Sequence, residues 1–565
     1  MLVITSSIAH LTLLTKYSLL FIYFYLAGRS AVILISNFIL KEKRYPEKIL
    51  FLKSQILFPI IGIAFVGNVL IALNYFLPLK SNYALVFILL LLIPNLLSIN
   101  FDFLSNLKFY NVIFYIVIPA VLITSSYDTS WHYDAGYYHL NHQNWLRESN
   151  MIFGTVNIFW AFGMSSVYEY ISAVLWIDKS FILIHFLTLI FIQTIYIFLI
   201  DNFRSSTYKD LKYVSFFLLI YSLIDNFGVN GGRNGFIYIQ GVTKQDMPVG
   251  ILIFIIVLSC LLIIKYKDIN NADIFTLSLI SLFVVQIKLS SVIIIYPLII
   301  ALFSIYKPII KKNYKLLISA LPSVFFGIVW LIKGYFTTGC FLFPLASTCI
   351  NNFDWYVKNS TASFESVTTT ASYSLIDYLY SSKSISEWWN YFYSFKINRT
   401  VILNFFISFL ILYLIKKVFF SSEKQTKVLN FTLYSFILLN ITYLMLYGPT
   451  PRYAIGICLL SIGVLGISIN KPKFEINYNF FSVMAIFSVL LLVRVSSYQA
   501  FLSDPTIAIF NPVGLAKYEY RYDDWVLPDE GDQCWINLKC TMEKEEILFK
   551  KTGIFKVAYK PSLSQ

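Results

Sequence analysis

MPVGILIFIIVLSCLLIIK, Met247–Lys265, carries no charge until its last residue. Coiled as an α-helix, a run of this length rises about 29 Å, close to the hydrocarbon thickness of a bilayer. Its apolar residues do not alternate with polar ones, as the strands of a membrane barrel require. Comparable runs recur along all 565 residues. Hydrophobic residues make up 58% of the chain and charged residues only 13%, too little charge to surface several soluble domains. The chain therefore reads as an all-α integral membrane protein, a polytopic helical bundle.

Working outward, the loop after this run carries Lys265 and Lys267, and basic loops mark the cytoplasmic side. The first helix is expected within about Ile8–Leu40, too long and without the small-residue cleavage site of a signal peptide. A basic loop follows, with Lys41, Lys43, Arg44, Lys48 and Lys53. Helices near 55–77, 83–99 and 110–125 bring the chain outside. The stretch 155–177 is only moderately apolar and holds Asn157 and Glu169. One crossing, near 180–200, separates it from basic Arg204, Lys209 and Lys212, so 155–177 is expected to lie along the outer interface or to re-enter. Further helices are expected near 211–226, 247–265, 274–288, 290–306, 316–336, 400–418, 428–447, 453–469 and 478–495. The alternation gives about fourteen spans, with both termini outside. Residues 1–495 form the membrane domain, with extracytoplasmic loops at 126–178 and 337–398, and residues 496–565 form an extracytoplasmic tail. The formal charge of +14 is scattered between apolar runs, which excludes the basic face of a nucleic-acid binder. No internal repeat is visible, which counts against a secondary transporter.

Cys260 and Cys458 fall inside apolar runs and read as inert core residues. Cys340/Cys349 and Cys534/Cys540 are close pairs in polar stretches without the ligand company of a zinc site. They read as disulfides of an oxidising compartment.

The titratable groups concentrate in Tyr127–Asn150, YDTSWHYDAGYYHLNHQNWLRESN, with Asp128, Asp134, His132, His139 and His142. The assigned topology collects other polar residues on the same side: Arg233, Lys244, Asp246, Lys288, Lys333 and Arg452. A carboxylate pair with isolated cations at membrane depth fits one task well. The carboxylate takes a proton from an acceptor hydroxyl while Lys and Arg hold a lipid-linked phosphate. Aromatics such as Tyr127, Trp131, Tyr133, Tyr137 and Tyr138 offer faces on which sugar rings stack. Each residue has a plainer role as well. Asp134 before AGYYHLNHQNWL fits a helix N-cap. The aromatics fit an interfacial belt, and Lys288 and Arg452 fit structural pairs. His139 and His142, three residues apart, share a helix face, and the sequence leaves a divalent cation open as cofactor.

YDAGYYHLNHQNWL, KLSS, LIKGYFTTGCFLFPLASTC, GPTPRY and the tail's GDQCW…C resemble a poorly characterised bacterial inner-membrane family of surface-polysaccharide loci, over most of the chain. That family is similar to the GT-C glycosyltransferases, which use polyprenyl-phosphate-linked sugars and carry an essential Asp or Glu in the first extracytoplasmic loop. The resemblance implies Asp134 as the base, with Asp128 as runner-up. About four helices precede the acidic loop here, where GT-C enzymes usually have one. The expected function is transfer of a sugar from a polyprenyl phosphate to a glycan or lipid-linked acceptor at the outer face of the inner membrane. Lys288, Lys333 and Arg452 would contact the phosphate, and the 337–398 loop and the tail would cover the acceptor side. A polysaccharide polymerase, a lipid-linked glycan flippase and a non-catalytic assembly protein are the rivals.

Overall fold

The computed structural model describes residues 2–39, 46–98, 109–129, 131–176, 180–227, 238–311, 313, 315–350, 355, 361, 364–365, 374–376, 384–422, 425–467, 469–472, 477–503, 518–520, 525–528, 532–542 and 546–560. Arg233, part of the 337–398 loop and part of the tail lie outside the described residues. The main helices in chain order are α1 Leu2–Leu34, α2 Ser54–Asn74, α3 Asn82–Leu90, α4 Ile118–Ile123, α5 Leu140–Glu148 and α6 Val167–Val174. Next come α7 Ile182–Ser205, α8 Lys209–Phe227, α9 Asp246–Tyr266, α10 Asn271–Ile287, α11 Ile295–Ile305 and α12 Leu321–Thr338. The last are α13 Ile385–Ser394, α14 Lys396–Phe419, α15 Lys427–Tyr447, α16 Ile455–Gly463, α17 Tyr478–Leu492 and α18 Val495–Ser503.

The protein is a largely helical polytopic membrane protein. Among the described residues, 8 helices are long and apolar enough to cross a bilayer, or up to 9 when the bent pair α17–α18 counts as one span. The other expected crossings are helical but differ in character. Four are shorter apolar helices, Asn82–Leu96, Ile113–Asp128, Asn271–Ile287 and Pro451–Gly466. The fifth, α8, carries Lys209, Asp210, Lys212 and Asp225. Each of these is too short or too charged to span on length and composition alone.

Burial sorts the helices into a hub and a periphery. The most apolar window of α9 is wholly enclosed by the protein, whereas those of α12 and α14 are only 22% buried. An all-round apolar helix at the centre and apolar outer faces at the rim are what a bundle in lipid requires. Around α9 pack α7, α10, α11 and α16. The approach of α16 to α9 is close enough to need glycine on both sides. A Cβ on Gly250 would lie 2.3 Å from the Ile455 side chain, and one on Gly456 would lie 2.9 Å from that of Ile253. This contact brings the turn before α16, Pro451–Ala454, against the start of α9.

The basic loops pack on one another at one end of the bundle. Lys53 pairs with Asp201 at 2.6 Å and Lys265 with Asp210 at 2.8 Å. The backbone N–H of Leu50 donates to Asp273 at 2.5 Å, and Phe420–Ser422 pairs with Ile469–Pro472. Helices α2, α9 and α10 each run from this end to the other, where Asn74, Asp246 and Lys288 emerge. There Asn74 donates to the carbonyls of Leu146 and Ser149, joining α2 to the 127–150 stretch.

The 155–177 stretch forms two short 3-10 turns and α6, whose residues Val167–Ala173 are all buried. It packs inward against α2 and α5, so it is enclosed by the protein, where a stretch lying along the outer interface or re-entering was expected. The tail folds back over it. Phe555–Tyr559 pairs in parallel with Ile152–Phe153 and antiparallel with Leu548–Thr552. Asn157 donates to the carbonyl of Ala558 at 3.0 Å, and Thr541 donates to that of Ile158 at 2.7 Å. Disulfides join Cys340 to Cys349 and Cys534 to Cys540, while Cys260 and Cys458 are free and buried.

Candidate functional site

Asp134 opens a π turn, Ala135–His139, that leads directly into α5. Such turns shift the register of a helix and recur at functional sites. The carboxylate makes no capping hydrogen bond; instead it accepts from Lys244 Nζ at 2.5 Å. The structure thus favours an ion pair over the N-cap role. Lys244 lies just before α9, beside Thr243, whose φ of +75° is left-handed for a β-branched residue. Backbone held there costs on the order of 1–3 kcal/mol, and such outliers cluster at sites.

Asp246, the first residue of α9, lies next to this pair. Lys288 Nζ donates to its Oδ1 at 2.6 Å, and Arg452 Nε approaches its Oδ2 at 3.9 Å. Each cation arrives from an element end. Lys288 ends α10 where the helix breaks into a 3-10 turn, and Arg452 occupies the turn before α16. Tyr453 lies between them. Lys288 Nζ stands 3.5 Å from its ring centroid, and an Arg452 Nη donates to its hydroxyl at 3.1 Å. Gln240 completes the shell, accepting the Met247 N–H at 2.7 Å and donating toward Asp246. Lys288 and Arg452, expected as isolated cations, share Asp246.

Three cations therefore face two carboxylates, with one positive charge in excess. Burial alone would raise the pKa of Asp134, but Lys244 outweighs it and holds the carboxyl below its usual range. Burial and Arg452 depress Lys244, against the pull of Asp134. His132 lies 3.5 Å from Asp134 but is no ion-pair partner. Burial and Lys244 lower its pKa to about 4, and its Nδ1 accepts the Asp134 backbone N–H at 3.1 Å. Acceptance at Nδ1 is what a neutral ring requires.

Five residues further on, the same stretch builds a second, closed cluster. His139 Nδ1 bonds Glu169 Oε1 at 2.6 Å, and His142 Nδ1 bonds Oε2. Glu169 is 2% exposed. Burial would push its carboxyl up, yet the two histidines bring it down to about 2. His139 and His142 thus spend Nδ1 on a buried carboxylate rather than facing a ligand. Lys333 joins this side, not the cationic cluster. It is 3% exposed, donates to the Ser165 carbonyl at 3.2 Å, and shares a small cavity with His142, Tyr170 and Thr337. Lys333, expected with Lys288 and Arg452 as a phosphate contact, instead bonds Ser165 from the inner face of α12, while Lys288 and Arg452 both approach Asp246.

Asp128 does not pair with Asp134. It accepts from Ser496 and lines a separate cavity with His185 and Arg494. The second carboxylate of the site is Asp246. Among the described residues no group of three or more His, Cys, Asp or Glu is arranged to hold a metal ion.

The tail roofs the acidic turn. The backbone N–H groups of Cys534 and Trp535 both donate to the Gly136 carbonyl at 2.9 Å. Tyr133 donates to Asp532, and the Trp131 and Trp535 rings meet edge to face at 5.9 Å. A Cβ on Gly136 would lie 2.6 Å from the Trp535 ring, so only glycine admits this roof. Glu169, Gln240, Tyr453 and Trp535 were not singled out as site residues. Glu169 carried a signal, as a lone acid in a half-apolar stretch, and Tyr453 and Trp535 close the motifs GPTPRY and GDQCW, while Gln240 had none that the amide background did not hide.

No curated protein matches the chain. A family model matches residues 11–459, which include every residue of both clusters but not the tail. Over that span the chain belongs to the family described as Domain of unknown function (DUF8201).

Proposed function

We propose that the protein is a membrane glycosyltransferase of the GT-C type, acting at the extracytoplasmic face of a bacterial inner membrane and crossing it about fourteen times. The observation that carries the proposal is the cluster of Lys244, Lys288 and Arg452 around Asp134 and Asp246, with one positive charge in excess. A phosphate of a polyprenyl-linked sugar supplies the missing negative charge, and charge-assisted bonds from Lys and Arg hold it. As that phosphate draws on Lys244, Asp134 is released to act as base. The acceptor oxygen then bonds to the anomeric carbon and its proton passes to Asp134. The bond from that carbon to the phosphate oxygen breaks, and the phosphate leaves with the electron pair toward Lys288 and Arg452. The tail over Gly136 supplies part of the cover that excludes water.

The test is complementation of a deletion strain by wild type and Asp134→Asn, at matched membrane levels, reading surface glycan by gel and mass. Loss of one defined sugar in both the deletion and Asp134→Asn is expected. Loss of whole chains with single repeat units retained would replace transfer by polymerisation. Full activity of Asp134→Asn would remove it as the base.

A further inference from the structure

Helices α17 and α18 meet at a bend of 76°. Arg494 lies in the break and α18 packs on the 3-10 turn Thr124–Asp128. The joint encloses a partly open cavity lined by Ser125, Asp128, Thr129, His185, Arg494 and Ser497, with Tyr238 and Gln240 as one wall. Its polar groups are unusually short of partners. His185 is 2% exposed and Ser497 1% exposed. Ser125 spends its hydroxyl proton on the Leu122 carbonyl at 2.6 Å, so at 2.8 Å it receives the Nε2 proton of His185. His185 Nδ1 is then a bare acceptor. Neither it nor the hydroxyls of Ser497 and Thr129 has a hydrogen-bond partner among the described residues. Buried polar groups left so are costly, on the order of 1–3 kcal/mol each.

These groups specify an occupant. Nδ1 of His185 and the Asp128 carboxylate accept, Arg494 donates, and the hydroxyls of Ser497 and Thr129 do both. The charges of Asp128 and Arg494 offset, so no net charge calls for a phosphate here, unlike the cluster around Asp246. A neutral group with several hydroxyls meets both needs. Gln240 ties this cavity to the other site, since its amide bonds Tyr238 at 3.0 Å on one side and reaches Asp246 on the other.

We propose that this cavity is a second subsite that takes a hydroxyl-bearing edge of a carbohydrate, reaching in from its open side beside the cationic cluster. Its biological occupant rests on the transferase reading, but sugar binding there does not require turnover. The experiment is saturation-transfer NMR on the full chain in nanodiscs, with methyl α-glucoside, methyl α-mannoside, methyl β-galactoside and N-acetylglucosamine as probes. Wild type is expected to give signal from at least one sugar. Ser497→Val, which removes the buried hydroxyl and narrows the cavity, is expected to weaken that binding by at least about tenfold, the equivalent of one lost hydrogen bond. Arg494→Ala, at an exposed position and so safe for the fold, is expected to weaken it too. Silence from all four sugars, meaning a cavity that holds water only, overturns the proposal, and so does binding that survives both substitutions. Asp134→Asn is expected to keep the signal. If that variant also keeps full activity in complementation, the transferase reading fails while this site stands.

Discussion

Asp134 and His139 lie five residues apart, yet they belong to sites of opposite design. Around Glu169 everything closes: two imidazole N–H groups meet the two oxygens of one carboxylate, and the whole group is sealed from solvent. Around Asp134 and Asp246 the account is left open, with an extra cation, a partly exposed carboxylate, and a left-handed Thr243 beside Lys244. A closed cluster of charge fixes geometry, whereas an open one is suited to a ligand. The π turn between them makes the sealed site a mount for the open one.

The largest effect should come from breaking the mount. Glu169→Ala removes the acceptor of both histidines in a buried setting, and loss of one side of a buried charged network costs about 3–5 kcal/mol. The variant should fail to accumulate or melt far below wild type, as read by fluorescence-detected size exclusion after heating. Asp134→Asn, at the open site, should be the milder of the two, since the Asn side-chain oxygen still accepts from Lys244. Equal melting of the two variants would erase the distinction between mount and site.

A smaller effect should separate the site from its roof. Gly136→Ala drives a methyl into Trp535, and overpacking of this kind costs about 1–3 kcal/mol. Because Gly136 also holds the N–H groups of Cys534 and Trp535, the tail should loosen before the bundle does. Limited proteolysis should then cut within 532–560 faster than in wild type, with the melting of the membrane part unchanged. Resistance equal to wild type would mean that the tail is held mainly by its strand pairing to Ile152–Phe153.

Much of this arrangement was legible in the sequence, for definable reasons. Apolar runs and basic loops are written in local composition, so helix positions and the gathering of Lys53, Lys265 and their neighbours at one end could be read directly. Asp134, Lys244, Asp246, Lys288 and Arg452 stood out because charge is rare in such a chain. What could not be read was pairing. Whether Lys333 faces Asp246 or Ser165 depends on the rotation of α12, to which a helix that is apolar on most sides gives no clue. Likewise Asp128 and Asp134 are near in sequence but parted by a chain turn, while the close packing of Gly250 on Gly456 seats Arg452 beside Asp246. Asn271–Ile287, at 17 residues, shows why a span count is weaker than a list of helices.

The smallest predicted effect distinguishes the two sites by pH. In the folded protein His132 holds its proton only below about 4, whereas an unfolded histidine takes it up near 6.5. Between those values the unfolded chain binds more protons, so stability falls as pH drops through that window. Glu169 has a folded pKa of about 2 against about 4.5 unfolded. Its contribution is therefore whole above the upper value and is lost only as pH falls toward the lower one. The open site should weaken first on acidification and the sealed site later. Melting temperature measured from pH 7 to pH 4 should decline less in His132→Gln than in wild type, because the variant has no imidazole to protonate on unfolding. The same slope in both would show that the ring beside Asp134 is as hydrated in the folded protein as in the unfolded chain. The neutral His132 that leaves Lys244 as the one ion-pair partner of Asp134 among the described residues would then have to be given up.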